Sequence, residues 1–97
     1  MTHIENHLNL MGMRVRDRVT GFSGVVTCVS FDLYGCVQAI VHPGSDKEGK
    51  MLEQCWFDVS RLAITNIDPV MERPNFEHGP QAEGKKGAAE KPIFMKR

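Results

Sequence analysis

Residues 12–41, GMRVRDRVTGFSGVVTCVSFDLYGCVQAIV, decide how this chain is read. From residue 13 the sequence alternates: Met13, Val15 and Val19 share one phase with Asp17, and Arg14, Arg16 and Arg18 share the other. A period of two with one apolar face predicts a strand buried on one side. The turn Thr20-Gly21-Phe22-Ser23-Gly24 follows, with two glycines able to supply positive φ. A β-branched second strand over 25–31, the turn Asp32-Leu33-Tyr34-Gly35 and a third strand over 36–42, stopped by Pro43, complete a three-stranded meander.

Residues 43–52, PGSDKEGKML, are polar and glycine-rich and predict an exposed, mobile loop. A fourth strand over 53–57 carries the single tryptophan, residues 58–61 fit one 3₁₀ turn, and 62–65 a fifth strand. This pattern predicts an all-β fold, a small five-stranded SH3-like barrel over 12–66 whose closure hides its strand edges. Val15, Val19, Val25, Ile40 and Leu62 are its expected core. Asp17 falls in the buried phase and needs donors there, which the amides of the 20–24 turn would supply.

Ile4, Leu8 and Met11 stand at helical spacing in residues 1–11, but so short a helix is marginal alone, so an arm with one loose turn or a docking on a neighbour is expected. Residues 67–97 are rich in Pro, Gly, Ala and charge and predict an extended or disordered tail, with Phe76, Ile93, Phe94 and Met95 as apolar islands. Leu8, Leu10, Phe76 and Phe94 exceed what one small core covers, which points to a homo-oligomer.

At 97 residues there is room for one core. Lys plus Arg equals Asp plus Glu at 12 each, so no overall basic field favours nucleic acid. No apolar run is long enough to cross a bilayer. Three cysteines without a CxxC pair, and no basic, apolar leader, read as reduced thiols in the cytoplasm of a host cell. Cys28, Cys36, Cys55 and His42 lack the close ligand pairs usual in zinc sites, and His3 with His7 lacks a third ligand, so neither a metal nor another cofactor is expected. If Phe31 faces Cys36 across the hairpin, Cys28 faces Ala39, which disfavours a disulfide.

Trp56, Phe57, Asp58 and Arg61 form the densest group of residue types enriched in interfaces. Joined with Tyr34 on the 32–35 turn, Trp56, Phe57 and Arg61 are the expected binding patch, because aromatic side chains beside such loops dock extended ligands. Arg14, Arg16 and Arg18 form the alternative, a face that could follow a phosphate backbone, although no aromatics interleave with them for base stacking. No Ser-His-Asp or Cys-His arrangement and no phosphate-holding glycine loop before a helix can be drawn, so catalysis is not expected.

The spaced motifs G-x-x-V-x-D-x-V-T-G-F-x-G (12–24), G-C-x-Q (35–38) and W-F-D-x-x-R-L (56–62), with a tail containing P-x-F, GP and A-A-E-K-P, resemble a family of small uncharacterised proteins of tailed bacteriophages and prophages. That resemblance covers about residues 12–92. It implies an SH3-like barrel and a noncatalytic accessory module that binds a host or viral protein or a small host metabolite, with no assigned catalytic residues. The opening stretch is also similar to the type II dihydrofolate reductases, oligomeric SH3-like barrels with a site shared between chains. Their V-Q-I-Y segment has its nearest counterpart here in Val37-Gln38-Ala39-Ile40, which lies in the third strand and lacks the tyrosine.

Overall fold

A computed structural model describes residues 3–76. The element order is α1 (His3–Leu8), β1 (Arg14–Asp17), β2 (Ser23–Phe31), β3 (Val37–His42), β4 (Cys55–Asp58), a 3₁₀ turn (Val59–Arg61) and β5 (Leu62–Ile64). The strands form one antiparallel sheet in the order β4-β3-β2-β1-β5.

Two of its turns are built alike. Asp32 Oδ1 accepts from the amides of Tyr34 (3.0 Å) and Cys36 (2.9 Å), while the Asp32 amide donates to the Cys36 carbonyl (3.1 Å). Asp46 repeats this with Glu48 and Lys50, at 2.9 Å each, and its amide donates to the Lys50 carbonyl at 2.8 Å. Gly35 and Gly49 hold the left-handed position in each. Asp-x-x-Gly is thus a side-chain-locked turn, and residues 43–52, expected as a mobile loop, contain one, closed by a bridge between Ser45 and Met51.

The five-residue turn shifts the hairpin register by one. Phe31 faces Val37 and not Cys36, and Cys28 faces Ile40 and not Ala39. All three cysteines are free. A bulge between Val26 and Cys28 resets the alternation, so that Val26 is buried and Val29 also packs against the core.

Val15, Val26, Ala39, Val41, Phe57 and Leu62 are the buried core, edged by Leu10, Met11, Met13, Phe22, Val29 and Val59. Val15 and Leu62 are where the alternation put them. Val19 is 72% exposed, because β1 ends at Asp17 and Val19 belongs to the turn. Val25 and Ile40 are half-buried on the outer face of the sheet.

The expected barrel is not formed: the sheet is open. β4 and β5 are its two edges, and no ladder joins them. The 3₁₀ turn carries the chain from one edge to the other in three residues, so the sheet must curl, but its backbone groups are committed elsewhere. The Leu62 amide donates to the Val59 carbonyl, and the Arg61 carbonyl accepts from Arg18 at 2.8 Å. β5 thereby follows β1, pairing Asp17 with Leu62 and Val15 with Ile64, and has three residues in all.

The arm folds onto its own sheet. Gly12 donates to Val26 (2.8 Å), Val26 to Met13 (3.0 Å), and the His7 ring meets Phe31 edge-on at 6.0 Å. Residues 67–76 return to the same place: the Val70 amide donates to the Gly12 carbonyl (2.7 Å) and Arg73 Nε to Asn9 Oδ1 (2.9 Å). The rest of the expected tail, with Ile93, Phe94 and Met95, lies outside the described residues.

Curling brings backbones together at Gly24, where an added Cβ would stand 2.2 Å from the His42 carbonyl oxygen. Gly24→Ala therefore forces β2 away from the end of β3 and should cost about 1–3 kcal/mol, as overpacking typically does. Urea unfolding of the variant checks this; an unchanged midpoint would mean the contact is slack.

Candidate functional site

β1 ends on a charge pointing inward. Alternation from Val15 directs Asp17 to the core side, where it is 0% exposed. Arg61 grips it with two parallel bonds, Nε to Oδ1 at 2.8 Å and Nη2 to Oδ2 at 2.6 Å. The Thr20 amide donates to Oδ2 at 2.9 Å, and the Thr20 hydroxyl donates to the same oxygen. The Arg61 guanidinium lies 5.3 Å from the Phe57 ring centroid, and Phe57 in turn leans on Phe22 at 5.3 Å.

The Arg61 guanidinium holds the Asp17 carboxyl far below the usual carboxylate range; the Thr20 hydroxyl and amide add to this, and burial opposes it. The carboxylate in turn raises Arg61. A carboxylate ionised this firmly, with both oxygens engaged, is a brace and a poor proton carrier. The turn expected to satisfy Asp17 does so through Thr20, but Arg61 is its main partner. The sequence held a signal for this, since Arg61 is the one basic residue between 51 and 72. Asp58, adjacent in the same motif, caps the 3₁₀ turn instead, accepting from the Ser60 amide (3.2 Å) and hydroxyl (2.9 Å).

The four residues of the expected patch do not share one surface. Phe57 is in the core, Arg61 is 39% exposed over it, and Trp56 points to the opposite face of the sheet. Tyr34 is 87% exposed at the tip of the β2–β3 hairpin, beyond the last pair Phe31 and Val37. Trp56 pairs with Ile40, three residues further down β3, a separation of about 10 Å along the strand.

What surrounds Trp56 is a different feature. It is 51% exposed beside Ile40, which faces Cys28 in turn, and Met51 and Leu52 are exposed just before the strand. β4 is an outermost strand among the described residues, so Trp56 stands on an edge that none of them pairs. Edge strands usually carry lysine, proline or a bulge there, devices that stop other chains from pairing.

Arg14 and Arg16 point outward from β1, and Arg18 sits past its end in the turn. None of the three is paired with a carboxylate among the described residues. Gln38 is exposed on the outer face and Ala39 is buried, so the V-Q-A-I segment runs through the sheet rather than lining an opening. No group of three or more metal-ligating side chains occurs among the described residues. His42 Nδ1 accepts from the Gly44 amide at 3.0 Å.

Because the folded Asp17 carboxyl lies below its unfolded value, the unfolded chain binds the extra proton as the pH drops. The clasp's contribution is complete above the ordinary carboxylate value near pH 4 and is lost as the pH falls toward the depressed one. Urea midpoints for wild type and Asp17→Asn should differ by a constant amount from pH 7 to about 5 and converge below about 4. Arg61→Ala, which strands a buried carboxylate, should destabilise more than the double variant with Asp17→Asn.

Among the described residues, no helix is long and apolar enough to cross a membrane. No family model, no curated protein and no solved structure matches this chain. The expected phage or prophage origin, homo-oligomeric state and cytoplasmic location thus gain no relative to rest on, and the expected SH3-like barrel is replaced by an open sheet.

Proposed function

We propose that this chain is a noncatalytic binding module that takes an extended apolar protein segment as an added strand on β4. The observation that carries this is the edge: β4 is outermost among the described residues and exposes Trp56, and Met51 and Leu52 are exposed in the segment that leads into it. Strand addition draws its affinity from main-chain hydrogen bonds and its selectivity from alternate side chains. Half of a strand added here would lie against Trp56, and tryptophan is among the residue types that dominate binding energy. The fully engaged Asp17–Arg61 pair argues for support and against chemistry, since it offers no proton to exchange.

Selection from a random peptide library on the immobilised chain should enrich sequences of alternating apolar and β-branched residues. Bound peptide should slow amide exchange at residues 55–58. Trp56→Lys, an exposed substitution that places an edge-blocking charge, should leave unfolding unchanged and weaken the selected peptide at least about tenfold, or 1.4 kcal/mol. Peptides that bind without altering exchange on β4 would overturn the reading.

A further inference from the structure

We infer that the strand taken by this edge is the chain's own segment 91–97, KPIFMKR. The inference rests on the strand-addition reading above and names its occupant. Around β4, Glu53 and Asp58 are exposed acids that bracket the outward Trp56, five residue steps apart. In the segment, Lys91 and Lys96 bracket Ile93, Phe94 and Met95, also five steps apart. An antiparallel register that sets Lys91 against Asp58 and Lys96 against Glu53 brings Ile93 opposite Trp56. Opposite charges and apolar–aromatic pairs directly across a ladder are the pairings that stabilise a sheet.

Reach permits the docking. Fifteen residue steps separate Phe76 from Lys91, and extended chain covers about 3.3–3.6 Å per step, about 50 Å in all. Five strands spaced about 4.8 Å apart span about 20 Å. Pro92 falls inside the segment, and proline is accepted in an outermost strand, where it hinders the addition of a further one. The composition of 91–97 therefore suits both covering an edge and ending the sheet.

Trp56 is the one tryptophan, so its fluorescence reports the edge directly in the full chain. Ile93→Ser with Phe94→Ser should shift its emission to the red and raise its quenching by acrylamide. Lys96→Glu should do the same, and adding Glu53→Lys to Lys96→Glu should restore the wild-type spectrum. Shielding that persists on dilution supports the same chain as the source of the segment, and shielding lost on dilution would overturn that by assigning the segment to a second copy. Emission and quenching identical in wild type and the Ile93→Ser, Phe94→Ser variant would overturn the inference. In that event, peptides selected on β4 that still shield Trp56 leave the strand-addition reading standing, and their failure to shield it removes both.

Discussion

The buried ion pair of Asp17 and Arg61 is the constraint around which this sheet is arranged. It joins residues 44 apart in sequence and fixes three things at once: the end of β1, the turn after it, and the crossing from β4 to β5. A carboxylate taken wholly out of water requires its cation and its remaining donors in place, because either charge alone would be costly there. Arg61 meets that requirement at both oxygens, and Thr20 adds donors at Oδ2. Phe57 then lies beneath the guanidinium, which is how a charged side chain comes to roof an apolar core.

The same arrangement leaves the sheet open. Arg61 belongs to the 3₁₀ turn, and holding it against Asp17 draws the chain toward β1 as soon as β4 ends. β5 is thereby assigned to β1, and the outer side of β4 receives no partner among the described residues. A brace at one edge and an exposed strand at the other are two results of one geometry.

Much of the architecture was legible in local pattern. The alternation around Val15, the β-branched run from Val25, the one-turn break near Asp58 and the placement of Asp17 inward all reappear in the sheet. What local pattern does not encode is pairing over distance and small shifts of phase. Val19 continues the alternation by composition, yet the strand has ended at Asp17 and the turn carries Val19 into water. The Asp32 turn takes one residue more than local pattern indicates and sets Ile40 opposite Cys28, while the bulge after Val26 restores the pairing of Val25 with His42; both Val25 and Ile40 are half-buried. Closure fails for a related reason: five strands in a barrel-like order say nothing about whether the last has backbone groups left for the fourth. The expected patch grouped residue types common in interfaces, but neighbouring strand positions such as Trp56 and Phe57 point to opposite faces, so one of the two must turn inward, and here it is Phe57.

Gly24 meets the carbonyl of His42, and Gly12, at φ 88°, meets that of Met71, with no side chain between the backbones in either place. This gives the chain two kinds of tolerance to drift. Aliphatic positions such as Val26 and Val41 can exchange among residues of similar volume, because neighbours in a core share small adjustments. At the two glycines there is no graded series of near misses: the smallest side chain already meets main chain, which cannot turn aside as a rotamer does. The curl of the sheet at Gly24 and the return of residues 67–76 at Gly12 are therefore each kept or lost abruptly, while the core beneath them is free to vary.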